Sequence, residues 1–188
     1  MKRPSVKSVI QRTPRIKRVE VIFSKELGKP IEHFSPEKFG GISSRRGVSI
    51  DIDLFTESFP KSHLVIHTHL PCGKAAPNAM PSVQDIDTLS ALMRAGKAKR
   101  GVVVSLTKNG KVLGYNVFSI DKPFYPTTLA HIFSKGDSRF MSRQQLLNNY
   151  LQWYGVKLKQ KYVPMPGYKF FTGSERFEKA SKLKKFGL

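Results

Sequence analysis

Cysteine is almost absent from this chain. Cys72 stands alone among 188 residues, which excludes an intramolecular disulfide and fits a reducing compartment. Long apolar runs are missing too. No stretch approaches the ~20 residues of a membrane-spanning helix, so no membrane association is expected. The opening segment MKRPSVKSVIQRTPRIKR is basic but has no continuous apolar core. A secretory signal is therefore not expected, and a cytoplasmic location is. Repeats and low-complexity tracts are also lacking. What remains is one domain, long enough to bury a proper core and with room for a small appendage.

Acids are scarce: 13 Asp and Glu face 33 Lys and Arg, for a net charge of +20. The excess sits at the two ends. Residues 1–18 and residues 156–188 each carry a net +7, which leaves only +6 for everything between. This distribution suggests a catalytic domain of modest charge with basic extensions that attract nucleic acid or acidic proteins over a Debye length of about 8 Å. A solvated basic surface without a dedicated partner has the same composition. The divisions expected are a basic N-terminal segment (1–13), a catalytic domain (14–121) and a basic C-terminal extension (122–188).

Periodicity supplies the elements. Ser5 to Gln11 can form a short helix, Arg18 to Phe23 reads as a strand, and Ile31 to Phe34 as a second strand limited by Pro36. Gly47 to Leu54 alternates apolar and polar residues and is the cleanest half-buried strand pattern. A strand around His63 to His69 leads into a Pro/Gly-rich loop from Leu70 to Pro81. A helix from about Val83 to Ala95 follows, with Ile86, Leu89, Leu92 and Met93 on one face. Gly101 to Leu106 and Lys111 to Ile120 flank an Asn109-Gly110 hairpin signal. Ser142 caps a further helix bearing Leu146, Leu147, Tyr150, Leu151 and Tyr154, which Gly155 ends. Val156 to Val163 fits one more strand, and Glu175 to Phe186 a short basic helix. The aromatics of Tyr162 to Phe171 fit packing on the domain better than base stacking. The sum is an α/β sheet sandwiched by helices.

The chemistry gathers around SHLVIHTHLPCGKAAPNAMPSVQDIDTLSALMRAG. His67 and His69 lie two apart on a strand and so share a face. Asp85 opens the next helix, where its carboxylate can swing back to the strand end, and Ser82 precedes it by three. Two imidazoles and a carboxylate leave a fourth tetrahedral position for water, as a hydrolytic zinc needs.

His-x-His followed by Ser-x-x-Asp resembles the JAMM (MPN+) zinc metalloproteases over roughly residues 14–120. The resemblance implies an MPN-like (cytidine-deaminase-like) mixed β-sheet flanked by helices, here with a basic C-terminal helical extension. It implies zinc held by His67, His69 and Asp85, Glu20 on the first strand as general base and acid activating the zinc-bound water, and Ser82 as oxyanion donor. It further implies a metallopeptidase or isopeptidase acting on a ubiquitin-like protein conjugate or peptide tail. Oligomeric state is left open; a homodimer or a pairing with an inactive relative is compatible with the resemblance. Leu70 stands where the family has a proline directly after the second histidine, and the gap from His69 to Ser82 is longer than usual. We read this as a lengthened active-site loop, since loop insertions cost little.

Other readings stay open at this level. Ser82-x-x-Asp85 is also a capping-box pattern that needs no metal. Glu26 and, more remotely, Glu57 are alternatives to Glu20. Cys72 can replace a ligand or cap the metal at rest. His63 lies ~13 Å along the strand from His67 and cannot join it on the ion with His69 without a bend. His33 and His131 have no partner pattern and read as structural or surface residues. The function classes that compete with a peptidase are a nucleic-acid-associated, DNA-repair-type JAMM-like protein and a non-catalytic MPN scaffold. Binding in the nucleic-acid case falls steeply with salt.

Overall fold

The computed structural model describes residues 22–25, 30–44, 47–62, 64–71, 77–128 and 142–180. The expected helix at Ser5 to Gln11, the start of the first strand with Glu20, and Glu26, His63, Cys72 and His131 lie outside the described residues. The chain runs β1 (Ile22–Lys25), β2 (Ile31–Phe34), a 3-10 turn (Pro36–Phe39), β3 (Ile42–Ser44), β4 (Gly47–Ser49) and α1 (Ile52–Ser58). It continues through β5 (Leu64–His69), α2 (Val83–Arg94), β6 (Arg100–Leu106), β7 (Val112–Ile120) and α3 (Arg143–Trp153). Three strands close it: β8 (Leu158–Pro164), β9 (Tyr168–Phe171) and β10 (Arg176–Lys179).

Six strands form one mixed sheet in the order β2-β1-β5-β6-β7-β8. Among the described strands only β5 and β6 pair in parallel; their crossover is the loop and helix that carry Asn78, Ser82 and Asp85. A parallel pair cannot be joined by a hairpin, so a helix is the natural connection. The β6–β7 hairpin turns at Thr107 to Lys111, with Gly110 at φ 75°, as the Asn-Gly signal predicted.

One face of the sheet meets the helices. Ile22, Val65, Val103, Phe118 and Ile120 pack there with Ile86, Leu89 and Leu92 of α2 and with Leu147, Tyr150 and Leu151 of α3. Helix α2 is anchored to α3 by a buried bond in which the Tyr150 hydroxyl donates to Asp87 Oδ1 at 2.6 Å. Burial first, and then the Asp87 carboxylate, hold the Tyr150 phenol far above its ordinary value. Ser90 of α2 secures the segment after β7 as well, accepting from Phe124 N and donating to Phe124 O at 2.7 Å each. No helix among the described residues is long and apolar enough to cross a membrane.

Two expectations need correction. Gly47 to Leu54 is not one strand: β4 stops at Ser49, and Asp51 accepts from Asp53 N at 3.0 Å and Leu54 N at 3.1 Å to start α1. That cap, together with Phe55 and Phe59 at helical spacing, outweighs the period-two pattern. Both phenylalanines are fully buried, against Phe34 and Phe39. The C-terminal region is likewise only partly helical: the expected Ser142-capped helix is α3, but strands follow it. β8 is an edge strand of the main sheet, paired with β7 from Gly114↔Pro164 to Ile120↔Leu158. Arg176 to Lys179 is a strand because it pairs antiparallel with β9, from Arg176↔Phe171 to Lys179↔Tyr168, and buries Phe177 alone of its four residues. Residues 181–188 of the expected basic helix lie outside the described residues. Lys159 and Lys161 are exposed along β8, charges that discourage further pairing at a sheet edge.

The buried Tyr150–Asp87 bond generates a test. Tyr150→Phe is expected to lower stability by about 1–3 kcal/mol, because it takes a donor from a buried carboxylate and leaves the ring packing intact. Denaturant unfolding monitored by circular dichroism measures it.

Candidate metal centre

The site begins with strand parity. His67 and His69 project from the helix-covered face of β5, the face of Val65. Register fixes their neighbours: His67 lies beside Ile22 of β1 and Val103 of β6, and His69 beside Ser105 of β6. Ser105 is fully buried and its Oγ has no hydrogen-bond partner. That unpaired polar atom beside the histidine pair is compatible with a site that takes a further group.

Helix α2 delivers the third side chain. Ser82 is its N-cap: Ser82 Oγ accepts from Asp85 N at 3.2 Å, and Asp85 Oδ2 accepts from Ser82 N at 2.6 Å. The capping box is therefore formed, and it aims the carboxylate. With Oδ2 on the Ser82 amide, Oδ1 stands 3.2 Å from His67 Nε2, and His69 Nε2 is 3.9 Å from Oδ2. The two imidazole Nε2 atoms are 3.0 Å apart.

These distances fit one small ion. Ligand atoms at 2.0–2.1 Å around a tetrahedral centre are separated by roughly 3.4 Å, and one donor atom from each of the three residues lies within 4.8 Å of the others. His67, His69 and Asp85 can thus hold a metal ion. The side chains keep 11%, 12% and 18% of their surfaces open, a narrow window through which a fourth ligand can enter. His69 Nδ1 lies 2.7 Å from the Asn78 carbonyl oxygen. A carbonyl only accepts, so Nδ1 carries the proton and Nε2 presents its lone pair.

Electrostatics favours the ligand state. Burial first, then the neighbouring His67, lower the His69 imidazole to about 4, against the opposing pull of Asp85 and the Asn78 carbonyl. The charge of Arg143, at the start of α3, adds to the lowering. Burial acts to raise the Asp85 carboxyl. The charge and hydrogen bond of His67, the charge of His69 and the Ser82 amide outweigh it and hold Asp85 well below the usual carboxylate range. At neutral pH the centre offers a neutral His69 and an ionised Asp85, and neither proton has to be displaced first.

The sequence candidates therefore divide. His67, His69 and Asp85 come together, with Ser82 adjoining them through the capping box. Glu57 is exposed on α1 and does not join the cluster. His33 stacks on Phe23 at 5.8 Å, on the sheet face opposite His67. Tyr162 and Phe170 stack at 3.7 Å and pack with Phe177, as expected of aromatics that cover the domain. Sequence reasoning missed Asn78 and Ser105. Asn78 carried no signal beyond its place between Pro77 and Pro81, and Ser105 needed the register between two strands.

Comparison with family models, with curated proteins and with solved structures finds no match for this chain.

The two shifts act on stability in the same direction. In the unfolded chain His69 binds a proton below 6.5, whereas in the folded protein it resists until about 4. Unfolding takes up a proton in that window, so stability falls as pH drops from 6.5 towards 4. Asp85 adds a second loss below its ordinary 3.8. Denaturant midpoints of the metal-free protein are expected to fall over both windows, and His69→Ala to flatten the upper one.

Proposed function

We propose that this chain is a zinc-dependent hydrolase of the JAMM type that cleaves peptide or isopeptide bonds at a ubiquitin-like conjugate or protein tail. The convergence of His67, His69 and Asp85 on one partly open point carries the reading. The donor set favours zinc among divalent ions: two imidazole nitrogens and one carboxylate oxygen at tetrahedral spacing, rather than the six or more oxygens that calcium takes. The element order around the centre supports an MPN-like fold: β1 beside the histidine strand, then loop, capped helix and the β6–β7 hairpin. The substrate class rests on the resemblance in sequence.

The ion, once held, supplies Lewis acidity that polarises a carbonyl and makes water a nucleophile at neutral pH. The protein's residues do the rest. Glu20 is assigned the proton transfer, taking a proton from the attacking water and returning it to the leaving amine. β1 runs antiparallel to β5 with Ile22 opposite His67, so the chain enters β1 from the His69 end of β5. Ser82 Oγ accepts from Asp85 N and keeps its own proton to donate to the developing oxyanion. Asp85 and the Asn78 carbonyl fix the orientation of the two rings. Near-burial of the cluster keeps bulk water from screening these charges.

Metal analysis of the purified protein tests the reading. Stoichiometric zinc is expected, with loss of it in His67→Ala and Asp85→Ala. Glu20→Gln is expected to keep its zinc while hydrolysis of a ubiquitin-like fusion drops by at least about 100-fold. Protein without zinc would sink the proposal, and a fully active Glu20→Gln variant would remove Glu20 from it.

A further inference from the structure

The loop before α2 is tied to a hairpin from the far end of the chain. Ala79 N donates to the Glu175 carbonyl at 2.8 Å, and Asn78 forms an isolated bridge with Arg176. The side chains meet as well: Asn78 Nδ2 donates to Glu175 Oε2 at 3.4 Å, across 97 residues of sequence. Asn78 Oδ1 in turn accepts from Met80 N at 2.7 Å, so both ends of this amide are engaged. Its backbone carbonyl is the one that takes His69 Nδ1.

Several features show that this contact is built rather than incidental. Glu175 is the only non-glycine residue at positive φ among those described, at 54°. That conformation is unfavourable for a residue with a Cβ and persists only where surrounding contacts impose it. Ala79 is fully buried with Phe177 and Leu113 in a small cluster of its own. Phe177 reaches it by lying over Gly114, where a Cβ would come within 2.6 Å of the ring. Gly114 shares a row with Ser105 and His69 across the sheet, so the hairpin packs directly on the strand rows that hold the centre. The Glu175 charge also reaches Tyr162 of β8, whose phenol is pushed up to about 12 by burial first and Glu175 second.

We infer that the Asn78–Glu175 pair is a positioning device: the C-terminal hairpin holds the Asn78 carbonyl against His69, fixing the ring and the tautomer that leaves Nε2 free to bind metal. Neither residue touches the ion. Both act through His69, and the inference rests on reading His67, His69 and Asp85 as a metal centre.

A charge swap in the full-length protein tests it. Asn78→Asp keeps the acceptor for Met80 N but sets two carboxylates against each other. Adding Glu175→Gln restores a donor and an acceptor with their direction reversed. Two readouts are needed: the zinc dissociation constant, by competition with a chromogenic chelator, and the His69 tautomer in metal-free protein at neutral pH, by imidazole nitrogen-15 NMR. Asn78→Asp is expected to weaken zinc binding by about tenfold or more and to mix the tautomers, as loss of a partner behind a ligating histidine does. Glu175→Gln alone keeps an acceptor and is expected to change little. The double variant is expected to return to within about threefold of the unmutated protein and to the Nδ1–H tautomer. An Asn78→Asp variant that matches the unmutated protein in both readouts, or a double variant as impaired as Asn78→Asp, overturns the inference. Failure of the unmutated protein to bind zinc overturns the metal reading instead, and the tautomer measurement then decides the positioning role by itself.

Discussion

The Asp85 carboxylate serves two masters, and much of the local architecture follows from that. One oxygen closes the N-terminus of α2 through the Ser82 amide, while the other faces His67. A helix start carries partial positive charge and unpaired amides, so it welcomes an anion there with or without a metal. The parallel β5–β6 pair forces a crossover, and that crossover sets the helix start at the end of β5 where the histidines lie. Capping and the convergence of the three side chains thus reinforce one another. The same bonds that settle the helix also point a carboxylate at two imidazoles.

Holding these groups in place falls to neutral packing more than to charge. Only 13 acids serve the whole chain against 33 bases, yet two of them, Asp85 and Asp87, lie on one short stretch of α2 with little or no solvent contact. Each has a specific donor, Ser82 N for the first and the Tyr150 hydroxyl for the second. Buried carboxylates without such donors would be strongly destabilising. The apolar face of α2 then seats both against the sheet through Ile86, Leu89 and Leu92.

How far the sequence revealed this depended on range. His67 and His69 were legible because strand parity is a local rule, and Ser82 and Asp85 because a capping box spans only four residues. The β6–β7 hairpin was legible from Asn109-Gly110. Gly47 to Leu54 misled because Ile50, Ile52 and Leu54 satisfy a strand pattern, while the deciding facts were the Asp51 cap and two phenylalanines beyond the window. Phe177 misled in the opposite sense: a basic stretch with scattered apolar residues suits a helix until a hairpin partner at Tyr168 to Phe171 is known. Asn78 and Glu175 left no trace, since nothing local in either segment announces a contact with the other. Ser105 was equally silent, its meaning arising only from the strand beside it.

The tie between Asn78 and Glu175 also orders events in time. A ribosome adding about 5–20 residues per second delivers His67, His69 and Asp85 some 5–20 s before the hairpin that fastens the Asn78 loop. During that interval the nascent chain carries the three candidate donors without the contact from Glu175 to the Asn78 loop. The strand β8 that completes the sheet arrives in the same late portion. The Asn78 loop is therefore fastened only once β9 and β10 have followed the candidate donors out of the ribosome.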